Sequence, residues 1–230
     1  GREVSLLAFT DGSNVQSMVP ACDYKRVFDS DQGPNTGGMG SYSPPGFFNR
    51  SDVEKIQRTI LEPAVRAMAA EGMPYKGVLY VGLMVNPEGT RVLEFNARFG
   101  DPETQAIIPR LKTDLVDITL AVINGTLERM EIEWSDEACV GVVVASGGYP
   151  GKYQTGFSIN GLDQLDSDVL VFHAGTAVNN GVVTNGGRVL TVAASGKTLQ
   201  EARNRVYANI PRIHFEGCHY RKDIAAREMA

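Results

Sequence analysis

The sequence predicts an α+β fold with antiparallel sheets and helices, followed by a small β-rich C-terminal domain. Two pairs of strand-like segments each close around a short turn, at Glu3–Val19 and at Val78–Asn96. Between them, apolar residues at helical spacing begin at Ser51. The later part of the chain changes to short strands with frequent glycine, which predicts a boundary between residues 1–134 and residues 135–230.

The composition excludes several classes of protein. With 43% hydrophobic residues, the 230-residue chain can bury a core. Its 22 basic and 27 acidic residues give a net charge of −5, which offers no electrostatic attraction for nucleic acid or an anionic membrane. The most apolar segment, Leu115–Ile123, contains Asp117 and is much shorter than the about 20 residues of a membrane span. Small-molecule partners are therefore expected.

The cysteines and histidines predict neither a disulfide framework nor a metal centre. No Cys-x-x-Cys pair is present, and no carboxylate stands at a useful spacing from the histidines. A reducing compartment, the cytoplasm, is therefore expected, with the histidines in packing and surface roles. These residues are Cys22, Cys139, Cys218, His173, His214 and His219.

The first hairpin comprises a strand at Glu3–Thr10, a turn at Asp11–Asn14 and a return strand at Val15–Val19. The pattern then breaks into a long glycine- and proline-rich loop, Asp23–Phe47. Loops of this length in compact domains are usually functional or disordered. Because the chain opens at Gly1, directly on a strand-like pattern, we expect it to be a fragment of a longer protein.

A capping box at Ser51–Glu54 begins a helix that is expected to kink at Pro63 and to end at Gly72. Its predicted core-facing residues are Val53, Ile56, Ile60, Ala64 and Met68. The remaining predicted elements are strands Val78–Val85 and Arg91–Asn96, helices Thr104–Leu111 and Asp114–Asn124, strands Val140–Ser146, Val169–His173, Val182–Thr184 and Arg188–Ala194, and helix Thr198–Ile210.

Polar side chains recur along the segment Val92–Gln105. Residues two apart on a strand share a face, so Glu94 and Asn96 project together, and Arg98 continues the row. A carboxylate and an amide oxygen suit a magnesium ion held on nucleotide phosphates, and a guanidinium suits a phosphoryl or carboxylate group. The turn that follows places Asp101 just past the strand. The alternative from these residues alone is an amphipathic strand with solvated charges.

The loop segment Asp31–Gly40 reads Asp-Gln-Gly-Pro-Asn-Thr-Gly-Gly-Met-Gly. Its glycines would let backbone N–H groups approach an anion closely. It matches neither the dinucleotide fingerprint nor the P-loop, so on composition alone a flexible linker is favoured about two to one.

Several strings together resemble glycinamide ribonucleotide synthetase, an ATP-grasp ligase of purine synthesis. The most specific is Leu-Glu-Phe-Asn-x-Arg-Phe-Gly-Asp-Pro-Glu-x-Gln, at Leu93–Gln105. The other strings lie at Asp23–Arg26 with Asp31–Gly40, and at Val144–Gly151, Phe172–Thr176, Gly186–Leu190 and Phe215–Asp223. The resemblance implies the second part of an ATP-grasp domain over residues 1–134 and the synthetase C-terminal domain over residues 135–230.

The resemblance also implies roles for particular residues. Arg98 and Asp101 would be catalytic, with Asp101 orienting an amine. Glu103, from its position just after the turn, is expected instead to cap the next helix. Glu3 and Glu94 would bind the nucleotide, and Glu94 and Asn96 would hold Mg²⁺ or Mn²⁺. The implied substrate-binding residues are Asp23, Lys25, Arg26, Asn35, Thr36, Gly37, Gly38 and Met39.

The implied reaction joins glycine to 5-phosphoribosylamine with ATP, and the implied partner is a missing N-terminal half of the same enzyme. Two alternatives stay open. One keeps the ATP-grasp class with another acid and amine. The other is a non-catalytic binding or assembly module.

Overall fold

The computed structural model describes residues 1–229, which form two compact units. The first comprises Gly1–Cys22, Pro44–Gly100 and Arg110–Asp136. The second comprises Asp23–Ser43, Asp101–Pro109 and the chain from Glu137 onward. The units are thus interleaved along the sequence, and no single cut near residue 134 separates them. The assignment of residues 1–134 and 135–230 to two family domains stays a prediction.

The structure is α+β, as predicted. In chain order its elements are β1 (Arg2–Asp11), β2 (Val15–Ser17), β3 (Cys22–Asp23), β4 (Arg26–Phe28), β5 (Gln32–Asn35), β6 (Gly40–Ser43), α1 (Arg50–Ile56), α2 (Glu62–Ala70), β7 (Lys76–Asn86), β8 (Gly89–Asn96), α3 (Thr104–Ile107), α4 (Leu115–Asn124), β9 (Ala138–Ala145), β10 (Val169–His173), β11 (Thr176–Val178), β12 (Val182–Thr184), β13 (Arg188–Gly196) and α5 (Leu199–Asn209). No helix within these described residues is long and apolar enough to cross a membrane.

The first unit is built on an antiparallel sheet with strand order β2-β1-β7-β8. Both predicted hairpins are confirmed. The first turns at Asp11, whose carboxylate accepts bonds from the N–H groups of Ser13 and Asn14. Burial raises the pKa of Asp11, but bonds from Asn14, Ser13 and Leu127 outweigh it and hold the pKa below its ordinary value.

The predicted helix after Ser51 forms, but it differs in its cap and its buried face. Asn49, not Ser51, is the N-cap, and its side chain and that of Asp52 form the capping box. A π-helical turn, Gln57–Leu61, separates α1 from α2, just before Pro63. The extra residue of this turn rotates the following helix, so the fully buried residues are Ile56, Leu61 and Val65 rather than Ile60, Ala64 and Met68.

Helix α4 begins and ends as predicted. The Asp114 side chain accepts a bond from the N–H of Val116, and Gly125 closes the helix in the left-handed conformation with φ 70°. Ile118, Ala121 and Val122 are buried. Its contacts to β1 and β7 cover one face of the first sheet.

The second unit contains an antiparallel five-stranded sheet with order β10-β13-β9-β6-β3. The predicted strands after residue 135 are confirmed, and β11, which pairs with β12, was not predicted. Helix α5 packs against β9 and β13 with Ala202 and Val206 buried, as its spacing predicted. Thr198 caps it by accepting a bond from the N–H of Glu201.

The segment Asp23–Phe47, predicted to be a loop, contains regular structure. Strands β4 and β5 form a hairpin, and β6 lies beside β9 inside the second sheet, pairing Gly40 with Val142 and Ser43 with Cys139. The sequence of β6, Gly-Ser-Tyr-Ser, does not alternate between apolar and polar residues. All four residues are nevertheless buried. Its tertiary surroundings, not its composition, make it a strand.

Candidate active site

Strand β8 presents two oxygen-bearing side chains on one face of the first sheet. Glu94 pairs with Gly82 of β7, and Asn96 pairs with Tyr80. Both are therefore on the same face, as the strand periodicity predicted. A register shift leaves Leu93 as an extra residue just before Glu94. A Cβ at Gly82 would lie 3.3 Å from Glu94 Cγ, so this glycine leaves room for the glutamate side chain.

Glu3 lies on the same face of this sheet. It pairs with Met84 of β7, while Ser5, two residues on, pairs with Gly82, the residue opposite Glu94. A hydrogen bond of 2.8 Å between Ser5 Oγ and the Tyr80 hydroxyl confirms that side chains from β1 and β7 meet on this face. The structure thus brings Glu3, Glu94 and Asn96 to one face, although Glu3 and Glu94 are 91 positions apart in the sequence.

The donor set on this face fits a magnesium ion that also binds phosphate. Glu94 is exposed and Asn96 is partly exposed, so a charged and a neutral oxygen are accessible together. Within residues 1–229, no group of three or more His, Cys, Asp or Glu side chains converges on a metal position. Mg²⁺ on nucleotide phosphates typically takes one or two protein oxygens and fills its other positions with phosphate and water, so Glu94 and Asn96 are enough donors for it.

Arg98 lies beyond the end of β8, so strand periodicity does not fix its direction. It is exposed, and its Nη1 donates to the carbonyl of Phe99 at 2.8 Å. Phe99 packs edge-on against Phe9, with ring centroids 6.3 Å apart. Neither contact tests the catalytic role of Arg98, which stays a prediction.

Asp101 begins a turn in the second unit and is held by several donors. Gln105 Nε2 donates to its Oδ1 at 3.0 Å. Arg188 donates to both carboxylate oxygens, through Nη1 at 3.2 Å and Nη2 at 3.0 Å. The Asp101–Pro102 bond is cis, and the Ser41 hydroxyl donates to the Pro102 carbonyl at 2.6 Å.

Glu103 does not serve as the predicted side-chain cap. It occupies the N-cap position of α3, but its side chain makes no capping bond and is only 4% exposed. Ala106 and Ile107, on the following turn of α3, are also buried.

The N–H groups of the loop glycines Gly37 and Gly38 are bonded within the protein, and their predicted approach to an anion stays a prediction. The Gly37 N–H donates to the Tyr149 hydroxyl at 3.0 Å, and the Gly38 N–H donates to Thr36 Oγ1 at 2.9 Å. Gly38 has φ +114°, and a Cβ there would overlap the Pro102 ring. The glycines let the loop pack closely against the Asp101–Pro102 turn.

The predicted substrate contact Met39 is part of the core. It is 0% exposed and packs in a cluster with Val27 and Ala145. Its N–H donates to the Tyr24 carbonyl, and its own carbonyl accepts from the N–H of Val143. Its predicted contact with a substrate stays untested, but its side chain and backbone are engaged within the protein.

The other predicted substrate contacts surround the β4–β5 hairpin. Arg26 pairs with Asn35, both are exposed, and Arg26 Nη1 donates to the Gly33 carbonyl at 2.7 Å. Thr36 bonds back to the carbonyl of Lys25 through both its N–H and its hydroxyl. Lys25 and Asp23 are partly exposed at the base of the hairpin.

A buried arginine that sequence reasoning missed anchors this hairpin. Arg221 is 0% exposed and donates to the Arg26 carbonyl at 2.9 Å, to Asp31 at 3.0 Å and to Asp223 at 2.6 Å. Its guanidinium also lies 4.6 Å from the ring centre of Tyr24. Arg221 belongs to the quoted string Phe215–Asp223, which is the only sequence signal for it.

The pKa of Asp223 reflects this cluster. Burial raises it, but bonds from Arg221 and from the N–H of Ser30 outweigh burial and leave the pKa below its ordinary value. Among the histidines, His219 bonds to the Val27 carbonyl at 2.9 Å, while His173 and His214 are exposed. This agrees with the packing and surface roles predicted for them.

The chain matches two family models. The family model described as phosphoribosylglycinamide synthetase, ATP-grasp (A) domain, matches residues 1–104, and that of the same enzyme's C domain matches residues 139–227. The phosphoribosylamine–glycine ligase of Caldanaerobacter subterraneus subsp. tengcongensis is 52% identical over 98% of this chain and 54% of its own length. The trifunctional purine biosynthetic protein adenosine-3 of Gallus gallus is 51% identical over 100% of this chain and 23% of its own length.

A solved structure is similar throughout. The crystal structure of a phosphoribosylamine–glycine ligase from Thermotoga maritima superposes with a TM-score of 0.87 and 39% identity, covering 97% of this chain and 56% of that chain. The present chain spans about half the length of the single-function relatives it matches. The chain belongs to the phosphoribosylglycinamide synthetase family, matching both its ATP-grasp (A) domain and its C domain.

Proposed function

We propose that the protein containing this chain is a phosphoribosylamine–glycine ligase. It would use ATP to join glycine to 5-phosphoribosylamine, giving glycinamide ribonucleotide, ADP and phosphate. The observation that carries this proposal is the placement of Glu3, Glu94 and Asn96 on one sheet face, in a chain 52% identical to a ligase of that name.

ATP and a divalent cation, Mg²⁺ or Mn²⁺, are the proposed cofactors. Glu94 and Asn96 would hold the metal, which supplies charge neutralisation for the phosphoryl groups when bound. Glu3, on the same face, would contact the nucleotide. The exposure of Glu94 and the room that Gly82 leaves beside it support this assignment.

The reaction requires an anion to attack an anion. The glycine carboxylate takes the γ-phosphoryl group of ATP, releasing ADP and giving an acyl phosphate. The amine then attacks the acyl carbon, and phosphate and a proton leave. Positioning and cationic screening matter more here than acid–base catalysis. Arg98, exposed beyond β8, would stabilise charge on the transferred group.

Asp101 would orient the amine. Its carboxylate is partly exposed, and Arg188 and Gln105 fix its direction. The neighbouring segments would contact the substrates through the side chains of Asp23, Lys25, Arg26, Asn35 and Thr36, and Gly37 and Gly38 would border the substrates by close packing. Met39 would support them from the core.

Two other functions are less well supported. Another ATP-grasp carboxylate–amine ligase would keep the metal-binding face and change the substrates, but relatives named as phosphoribosylamine–glycine ligases match 98–100% of this chain. A non-catalytic module would leave the accessible oxygens of Glu94 and Asn96 unexplained. We also propose a cytoplasmic location. The proposed partner is a segment that corresponds to the rest of the relatives' length.

The test separates the two carboxylates in the full-length protein that contains this chain. Glu94→Gln keeps size but removes a charged metal ligand, so activity should fall about 10–100-fold and recover partly with added magnesium. Asp101→Asn should not respond to magnesium. Its defect should appear in the dependence on the amine, while a partial reaction that needs only ATP and glycine persists.

The measurement is coupled ADP release with each substrate varied in turn, together with product detection by mass. Unmutated full-length protein that makes no glycinamide ribonucleotide would refute the proposed reaction. An identical magnesium response in both variants would refute the division of roles between Glu94 and Asp101.

A further inference from the structure

Arg188 occupies the centre of a small group of contacts in the second unit. Its Nη1 donates to the carbonyl of Gly37 at 2.8 Å and to the carbonyl of Asp101 at 2.8 Å. The same guanidinium grips the Asp101 carboxylate through both terminal nitrogens. One side chain therefore fixes the glycine loop and the carboxylate that follows β8, which come from segments far apart in the sequence.

Tyr149 completes the arrangement from the other side of the loop. Its hydroxyl accepts the N–H of Gly37 at 3.0 Å. Both polar backbone groups of Gly37 are thus taken, the N–H by Tyr149 and the carbonyl by Arg188. We call Gly37, Asp101, Tyr149 and Arg188 the Asp101 clamp.

The clamp is tightly packed. A Cβ on Gly37 would lie 3.1 Å from Arg188 Cζ, and one on Gly187 would overlap the Tyr149 ring. Arg188 is itself mostly shielded, with 22% of its side chain exposed against 48% for Asp101. Asp101 therefore presents its carboxylate outward while the arginine behind it determines the direction.

We propose that Arg188 is a positioning residue of the ligase: it sets the orientation of Asp101 and of the Gly37–Gly38 loop at the point where the amine reaches the acyl carbon. This inference rests on the proposed function. Arginine suits the task because its planar guanidinium binds a carboxylate through two nitrogens, and here Nη1 also donates to the carbonyls of Gly37 and Asp101. Lysine keeps the charge but cannot reproduce this geometry.

The experiment uses the full-length protein with Arg188→Lys and, as matched control, Arg212→Lys. Arg212 belongs to the same unit and also binds a carboxylate and a carbonyl, those of Asp166 and Gln164, at 2.8 Å and 2.7 Å. We expect Arg188→Lys to lower kcat/KM for 5-phosphoribosylamine on the order of 10²-fold, since misplacement by about 1 Å costs that much. The ATP- and glycine-dependent partial reaction and the activity of the control should be unchanged.

Two further readouts separate positioning from general damage. The double variant Arg188→Lys with Asp101→Asn should be no slower than Asp101→Asn alone, because both changes disable one unit. Amide hydrogen exchange at Gly37 should be faster in Arg188→Lys than in Arg212→Lys, with or without substrates. This second readout needs no activity, so it tests the clamp even if the proposed reaction is wrong.

Additive effects of the two substitutions would overturn the proposal. So would equal losses in the partial reaction and the amine-dependent step, or unchanged exchange at Gly37. If the unmutated protein forms no amide bond at all, the proposed function fails and the positioning role fails with it, whatever the exchange measurement shows about the clamp.

Discussion

Individual residues divide into those that strand periodicity reveals and those that only the fold brings together. Glu94 and Asn96 were predictable because two residues on one strand share a face whatever surrounds them. Arg188 and Arg221 were not, because their carboxylate partners Asp101 and Asp31 lie 87 and 190 residues away in the chain. The strings that contain these arginines were recognisable, but no local rule connects them to those aspartates.

The ion pair between buried Arg221 and partly exposed Asp223 predicts an acid-dependent loss of stability. The pKa of Asp223 is lowered in the folded protein, so its contribution is present above the unfolded value near 3.8 and is lost as the pH falls through the folded value. Asp223→Asn should lower the free energy of unfolding at pH 7 by about 1–3 kcal/mol, since Arg221 would lose a charged partner. The difference from the unmutated protein should shrink below the ordinary aspartate pKa.

Thermal unfolding at pH 7 and at pH 3 measures this difference. Asp163→Asn, at an exposed aspartate of the same unit, is the control and should change stability little at either pH. A difference between Asp223→Asn and the unmutated protein that stays constant with pH would contradict the electrostatic explanation.

Among the elements, the helix between Arg50 and Ala70 shows how one residue changes a periodic pattern. Its sequence predicted a single stripe with a kink, whereas the π-turn Gln57–Leu61 inserts one residue and moves the buried face. Periodicity could identify the helix but not the insertion, because both stripes contain apolar residues. The β6 strand was not predicted for a related reason. It lies between β9 and β3 with all four residues buried, so its sequence need not alternate between apolar and polar residues.

Removal of the extra residue should be tolerated. Without Thr59, an exposed residue of the π-turn, the buried Ile56, Leu61 and Val65 would follow one another at regular α-helical spacing of four. We expect deletion of Thr59 to change the free energy of unfolding by about 1 kcal/mol or less, because the same side chains stay buried.

Deletion of Asn204 in α5 is the matched control. It also removes one exposed residue, but there the buried Ala202 and Val206 are already four apart. The following turn would rotate by about 100° and expose apolar residues worth roughly 1.5–3 kcal/mol each. Denaturant unfolding compares the two deletions, and equal losses would show that the π-turn is required.

For the whole molecule, the family resemblance predicted more than composition did. The α+β class and the hairpins were predictable from the hydrophobic periodicity and the turn residues. The interleaving of the two units was not, because nothing in the sequence marks Asp23–Ser43 and Asp101–Pro109 as belonging with the chain from Glu137 onward. The segment Asp101–Pro109 directly follows the strand that carries Glu94. The chain therefore changes units within the motif that most strongly indicated its family.

The 230-residue chain alone should show no ligase turnover. The chain spans 54% of the length of the Caldanaerobacter relative, so the rest of the proposed enzyme would be absent from this assay. The measurement is ADP release with glycine and 5-phosphoribosylamine, and a circular dichroism spectrum confirms that the tested chain is folded. The full-length protein is the positive control, and turnover by the isolated chain would refute the expectation.

The pairing of β6 with β9 also bears on how such genes can recombine. A crossover between two related genes near codon 134 would take β6 from one parent and β9 from the other, inside a single sheet. The two strands touch closely, since a Cβ on Gly40 would lie 2.7 Å from the Gly141 carbonyl oxygen, so any side chain at position 40 would clash with the backbone of β9. Chimeras should therefore fold only where the parent that supplies β6 keeps Gly40, whichever parent supplies β9.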